Sequence, residues 1–159
     1  MKNYELLIKL MNLFGVSGKE MEVRETIIKE IKKYVDDMNI DKMGNLIVHK
    51  KGKKPKIMLA AHMDEIGLMV KNIEHDGKIK ISTIGGIEEM VLLNEKVEIK
   101  TKKGIISGVI TTNEISSSKI GKDYKLSDMF IDTGLNKKEL IKEAVHVGSF
   151  ISFSQNAQI

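Results

Sequence analysis

The chain has 159 residues, of which 42% are hydrophobic and 30% charged, with a formal net charge of +4 at pH 7 and no cysteine. This composition excludes a disordered chain and a membrane protein, because the hydrophobic content is not low and no apolar run has the length of a bilayer span. The lack of cysteine excludes disulfides and thiolate metal ligands, so a metal must be held by His, Asp or Glu, and we expect a reducing cytoplasm as the compartment.

Two amphipathic helices are predicted at the start of the chain. Residues 4–14 carry apolar side chains at helical spacing and stop at Gly15. Ser17–Glu20 then shows the pattern of a capping box, and the residues that follow it supply a broad apolar face. We expect this second helix to pack on a sheet.

Three strands are predicted within residues 38–64, with turns at Met43–Asn45 and around Gly52. The third strand is Lys56–Ala61, KIMLAA, a nearly continuous apolar run of the kind found in strands that are buried on both faces. Two helices followed by these strands indicate a layered α/β unit over residues 1–66.

The densest basic segment is His49–Lys56, HKKGKKPK, which lies between two predicted strands. It contains Gly52 and Pro55 and has no aromatic neighbours that could stack on bases, so we interpret it as a solvated turn. All basic residues except Arg24 are lysines, which also argues against arginine-based recognition of phosphates or bases. We therefore expect no nucleic-acid partner.

Residues 67–153 alternate apolar and polar side chains in several short segments, which is typical of half-buried antiparallel strands in a small barrel or sandwich. Turn signals separate the segments at Asp76–Gly77, Gly85–Gly86 and Lys103–Gly104. Between the strands, Asn113–Asp128 is polar and is predicted to form a mobile loop. Asn136–Gly148 is predicted to be a short helix that Asn136 caps and Gly148 ends.

His62 and Asp64 follow directly after the predicted buried strand. Because successive side chains of a strand alternate, residues two apart point to the same side and present an imidazole and a carboxylate together. Zinc accepts both ligand types, although a single buried histidine is more often a satisfied core residue. Glu65 would point to the opposite side, so we give it no ligand role. His49, His75 and His146 are expected to be exposed.

A succession of motifs along the chain resembles the N-terminal part of the tetrahedral and glutamyl aminopeptidases. In order they are GVSGKE, DKMGNLIV, KIMLAAHMDEIGLMV, IGGI, VLLNEKVEI, GVI, LSDMFIDTG and VGSFISF, and the resemblance as a whole runs from about Leu6 to Phe153. The resemblance implies an α/β/α metallopeptidase domain, incomplete here, with an inserted small β-barrel (PDZ-like) domain that contributes to dimers and larger homo-oligomers. Residues 1–66 would then begin the catalytic domain, 67–153 would form the inserted dimerisation domain, and 154–159 would start the return.

The resemblance also implies functions for two residues. His62 corresponds to the first metal ligand of the family, and Asp64 to the catalytic carboxylate that orients a ligand and tunes the metal. The other ligands and the glutamate general base of the family lie beyond the inserted domain, and the sequence stops at Ile159. The intact enzyme would use two divalent metal ions, zinc or cobalt, and a metal-activated water to remove N-terminal residues from peptide substrates. We expect this chain alone to be inactive.

Two other interpretations remain open. The chain could act as a non-catalytic assembly module through its β domain, or be merely a fragment that results from gene truncation. A minor alternative is a retroviral-type aspartic protease, because Phe130–Gly134 reads FIDTG. The residues after Gly134 look helical rather than extended, which argues against this last alternative.

Overall fold

The structure, a computed structural model, describes residues 2–113, 124–154 and 157–158. Two helices come first, α1 (Lys2–Met11) and α2 (Met21–Ile31), and a hairpin follows them, formed by antiparallel strands β1 (Asp37–Ile40) and β2 (Leu46–His49). These elements confirm both predicted helices and the first two predicted strands.

The turn of this hairpin is organised by Asp41. Its Oδ1 accepts hydrogen bonds from the backbone N–H groups of Met43 and Asn45, both at 2.9 Å, and its Oδ2 accepts one from the Asn45 side chain at 2.8 Å. Gly44 has a φ of 88°, a conformation that favours glycine, and its carbonyl accepts a hydrogen bond from Arg24 of α2 at 3.0 Å. The predicted turn is confirmed, and Arg24 joins it to the helix.

The next six strands form a closed barrel in which each strand pairs with two neighbours. The order around the barrel is β3-β4-β7-β6-β5-β8, and β8 pairs back with β3. The prediction left a barrel and a sandwich open, and the structure forms the barrel, which leaves no free strand edge. The strands are β3 (Gly67–Ile73), β4 (Ile79–Ile84), β5 (Lys96–Thr101), β6 (Gly104–Thr112), β7 (Met129–Asp132) and β8 (Phe150–Phe153).

The barrel encloses an apolar core that follows from the alternating pattern. In β5, for example, Val97 and Ile99 are fully buried while their neighbours are partly or wholly exposed. In β3 the pairing register shifts between Val70 and Asn72, so Val70 and Ile73 both face the core although they are three residues apart. The prediction of a mixed α/β chain that contains a small β-barrel is confirmed.

A third helix, α3 (Lys137–Lys142), packs Leu140 into the same core. Asn136 caps it as predicted, because its side chain accepts the N–H groups of Lys138 and Glu139 while the Glu139 carboxylate accepts the N–H of Asn136. The helix ends before Gly148, contrary to the prediction. The chain turns at Ala144, whose φ is 63°, and does not continue in helical geometry.

The start of α2 differs from the predicted capping box. The residue before the helix is Glu20, and its side chain makes no capping hydrogen bond. Ser17 lies before this position and does not cap the helix. Its N–H donates to the carbonyl of Glu65 at 3.1 Å, and a turn follows in which the Lys19 N–H donates to the carbonyl of Val16. A tertiary contact therefore delays the helix by a turn.

The prediction of a third strand is wrong, because this strand does not form in the structure. Lys56–Ala61 has no strand pairing, and Ile57, Met58 and Leu59 are 81%, 89% and 92% exposed. A buried strand needs neighbours that satisfy its backbone and cover its side chains. Within the described ranges β1 and β2 pair only with each other, so no sheet forms around KIMLAA.

Two further expectations concern polar segments. Residues 49–56 are all exposed, as predicted for a solvated turn. Of the predicted loop Asn113–Asp128, residues 114–123 lie outside the described residues, and Leu126–Asp128 form a short 3-10 turn before β7. Over the part of the chain that the structure describes, no helix has both the length and the apolar character required to cross a bilayer.

Candidate functional site

The candidate site consists of His62 and Asp64, whose side chains lie next to each other. The distance from His62 Nδ1 to Asp64 Oδ1 is 3.2 Å, and Nδ1 lies still closer, at 2.8 Å, to the backbone carbonyl oxygen of Asp64. The His62 side chain is 85% exposed and the Asp64 side chain 40% exposed. The pair therefore stands at the surface, with the ring held by a neighbour two residues away.

The hydrogen bonds of His62 determine where its proton lies. Both oxygens near Nδ1 are acceptors, so Nδ1 carries the hydrogen and donates it to Asp64. In the neutral ring, Nε2 then has a free lone pair. Metal-binding histidines are commonly oriented in this manner by a carbonyl or carboxylate on the nitrogen that does not bind the metal. The local geometry thus prepares Nε2 as a donor to a cation.

The segment that carries the site is anchored immediately after Asp64. Glu65 forms a parallel bridge with Val16: its N–H donates to Gly15 O at 2.9 Å, and its carbonyl accepts Ser17 N–H at 3.1 Å. The Glu65 carboxylate also accepts the Gly15 N–H at 3.3 Å. Sequence reasoning missed this anchor, and the signal for it was Val16, an apolar residue between Gly15 and Gly18.

The structure brings His62 and Asp64 together as the sequence predicted, but not on the predicted element. The sequence pattern predicts them at the edge of a buried sheet, whereas in the structure they follow the exposed, irregular segment that contains KIMLAA. The two side chains meet because the chain folds back locally, so that the His62 ring reaches the Asp64 carbonyl. His49, His75 and His146 are exposed, as predicted.

A divalent metal would find few ligands here. Zinc sites in proteins use three or four protein ligands, and no group of three His, Cys, Asp or Glu side chains with suitable positions occurs among the residues that the structure describes. His62 contributes one nitrogen, and Asp64 holds the ring. The described residues therefore do not complete a metal centre, and no metal-dependent step can be derived from them.

The aspartic protease alternative is wrong. Asp132 ends β7 with an exposed side chain, and its Oδ1 accepts the Gly134 N–H at 2.8 Å. The turn leads directly into helix α3, so the residues after Asp-Thr-Gly are helical and not extended as the protease motif requires.

Comparison with known proteins finds similarity to aminopeptidases. The family model described as M42 glutamyl aminopeptidase matches residues 44–159. A putative aminopeptidase of Acetivibrio thermocellus is 40% identical over 154 residues, which cover 97% of this chain and 45% of that protein. The lysyl aminopeptidase of Pyrococcus furiosus is 35% identical over 162 residues, which cover 98% of this chain and 47% of that protein.

Solved structures resemble the fold as well. An aminopeptidase from the archaeon Desulfurococcus kamchatkensis has a TM-score of 0.90 and 38% identity, covering 98% of this chain and 44% of that one. The Pyrococcus horikoshii TET1 peptidase, which assembles into a tetrahedron or a large octahedral shell, has a TM-score of 0.83 and 37% identity, covering 96% of this chain and 47% of that one. The chain spans somewhat less than half the length of these similar proteins.

Proposed function

Because this chain belongs to the M42 glutamyl aminopeptidase family, we propose that it supplies the N-terminal portion of a metal-dependent aminopeptidase that removes N-terminal residues from peptides. In this proposal His62 binds a divalent metal, zinc or cobalt, through Nε2, and Asp64 is the catalytic carboxylate that orients the ring. The remaining ligands and the general base come from polypeptide that this sequence does not contain.

The observation that carries the proposal is the position of the His62–Asp64 pair within the matched region. Residues 44–159 match the family as a block, and inside that block the proton on Nδ1 leaves Nε2 available to a cation. Exposure does not distinguish this ring, because His49, His75 and His146 are exposed as well. His62 is selected because both the carboxylate and the carbonyl of Asp64 lie beside its Nδ1, an arrangement common in metal-binding histidines.

A chimera tests the proposal. This chain is fused to the C-terminal portion of the Acetivibrio thermocellus relative, beginning where the similarity ends, and hydrolysis of amino-acyl p-nitroanilides is measured with zinc and with cobalt. We expect the chimera to be active and the 159-residue chain alone to be inactive, because a water must be activated and deprotonated by groups that the described residues lack.

Two variants of the chimera identify the site. His62→Ala should abolish the activity, while His75→Ala, which changes an exposed histidine elsewhere, should leave it intact. A folded, metal-loaded chimera without activity would contradict the proposed function, and an active His62→Ala chimera would contradict the role of His62.

We also propose that the chain forms homo-oligomers and that it divides into residues 1–66, 67–153 and 154–159 as the family does. The oligomers of similar proteins support the first point, such as the PhTET1-12s dodecamer, whose single chain is 35% identical to this one and covered to 46% of its length. One observation favours a second candidate function, a non-catalytic assembly module. The barrel has a closed sheet and a continuous core, whereas the segment before His62 is unpaired.

A further inference from the structure

A groove of about 550 Å³ lies between the start of α2 and the barrel, and neither His62 nor Asp64 lines it. Its volume is within the range of about 300–1,000 Å³ that is typical of sites for small ligands or a few side chains. Phe14, Met21 and Phe150 contribute its apolar surface, and Lys19, Lys100 and Lys102 contribute positive charge. The groove thus fits an occupant that combines apolar and acidic groups.

Two of the three lysines are held in place by aromatic rings. The Lys19 ammonium lies 5.3 Å from the centre of the Phe150 ring, and the Lys100 ammonium lies 5.4 Å from the centre of the Phe14 ring. Lys100 also pairs with Glu22, the only acidic side chain among the groove residues. Three lysines against one glutamate leave an excess of positive charge at the groove.

The chain itself exposes a segment with the complementary chemistry. Glu88, Glu89, Met90 and Val91 form the exposed turn before β5, and Met90 and Val91 are 72% and 61% exposed. The turn is held in shape, because Leu92 is fully buried and the Glu89 carboxylate accepts the Leu126 N–H at 2.9 Å. Two acidic and two apolar side chains are therefore presented together on a fixed turn.

This acidic turn cannot reach the groove of its own chain. The turn precedes the first residue of β5, and the groove includes Lys100 and Lys102 at the other end of that strand. Six residues of strand span about 20 Å. Both ends are fixed by the barrel, so only the turn of a second copy can enter the groove.

We propose that the acidic turn Glu88–Val91 of one copy of the chain docks into this groove, with its three lysines, on a second copy. Met90 and Val91 lie against Phe14, Met21 and Phe150, and Glu88 lies near Lys102. The contact joins two different surfaces, so successive copies form a ring or an open chain and not a two-fold dimer. The inference rests on the self-association proposed above but not on the enzymatic activity.

Sedimentation velocity over a concentration series tests the contact with variants on both surfaces. Every chain carries Leu59→Lys, since the exposed residues 57–59 would otherwise add association through a separate apolar surface. Lys102→Glu and Met90→Asp should each weaken self-association roughly tenfold or more. The matched controls are Lys103→Glu, in the same exposed hairpin turn but outside the groove, and Met43→Asp, at an exposed methionine of the β1–β2 hairpin. Neither control should have an effect.

Mixing the two disrupted variants gives the decisive measurement. The Lys102→Glu chain retains its acidic turn, and the Met90→Asp chain retains its groove. The turn of the first can therefore dock into the groove of the second, and the two surfaces that remain are both disrupted, so no further copy can be added. We expect a heterodimer that does not grow with concentration. In addition, Glu88→Lys combined with Lys102→Glu should restore part of the association lost in either single variant.

Three outcomes overturn the inference. A monomeric parent chain would reject both this contact and the proposed self-association. Association that Lys102→Glu and Met90→Asp leave unchanged would keep self-association and reject the groove as its site. If Lys103→Glu weakens self-association as much as Lys102→Glu does, the cause is a general effect of charge and not contact at the groove. Melting temperatures of all variants verify that each chain is folded.

Discussion

A Cβ atom on Gly67 would lie 2.6 Å from both methyl carbons of Val16 and 2.8 Å from the carbonyl oxygen of Ile151. Val16 is fully buried, so it has little room to move away. Gly67, the first residue of the barrel, and the segment before α2 are therefore in close contact, with the Val16 side chain packed between them. This contact joins the N-terminal helices to the barrel.

Gly67→Ala should destabilise the chain by about 1–3 kcal/mol because it overpacks this contact. Alanine also restricts the unfolded chain, but the resulting gain of about 0.4–1 kcal/mol is smaller than the clash. Urea denaturation measures the difference, and Gly52→Ala is the control, since a Cβ at Gly52 has no atom within 4 Å. Equal midpoints for the two variants would contradict the close packing.

Zinc should stabilise the 159-residue chain very little. His62 is the one clear metal ligand at the site, so at zinc concentrations up to the dissociation constant the gain is at most about 0.4 kcal/mol. Melting curves with and without zinc measure it, and NMR should show the largest shifts at His62. A large rise in melting temperature that disappears in His62→Ala but persists in His75→Ala would reveal further ligands.

Acid should loosen the β1–β2 hairpin through Asp41. The Asn45 side chain, together with backbone N–H groups, holds the pKa of Asp41 below its ordinary value of 3.8. Because this pKa is lower in the folded than in the unfolded chain, the carboxylate contributes stability above pH 3.8 and loses it as the pH falls through the folded value. Asn45→Ala should raise the pKa of Asp41 in an NMR titration. An unchanged pKa would show that the backbone donors suffice.

Asn136→Ala should cost about 1 kcal/mol of stability, since it removes the side chain that accepts the Lys138 and Glu139 N–H groups at the start of α3. Leu140 of this helix is fully buried in the barrel core, so the loss should appear in the unfolding of the whole barrel. Asn136→Asp keeps an acceptor and should retain most of the stability. If both variants lose stability equally, the hydrogen bonds are not the cause.

Trypsin should cut within residues 50–56 before it cuts at the lysines of the barrel strands. Lys50, Lys51, Lys53 and Lys56 are exposed and lie outside helices and strands, whereas Lys54 precedes Pro55 and should resist cleavage. Proteases prefer such segments, because the backbone must be extended into the active site. Mass spectrometry of early digests identifies the sites. Initial cleavage at Lys80 or Lys100 would contradict the described exposure.

Much of the fold was present in local sequence pattern. The alternation in β4 and β5, the glycine turns and the Asn136 cap each depend on residues close together in the chain, and the structure confirms them. The order of motifs identified the family without any tertiary information. The proximity of His62 and Asp64 was predicted from the alternation of side chains along a strand. The strand does not form, and the two residues meet through a local fold of the chain instead.

Tertiary structure decided the features that depend on distant neighbours. Alternation reports which side of a strand is buried but not its partners, so only the pairing of β8 with β3 distinguishes the barrel from a sandwich. The bridge between Val16 and Glu65 delays the start of α2 beyond its apparent cap. Lys56–Ala61 has the composition of a buried strand, but burial and strand pairing require other segments beside it, and a run of apolar residues cannot provide these for itself.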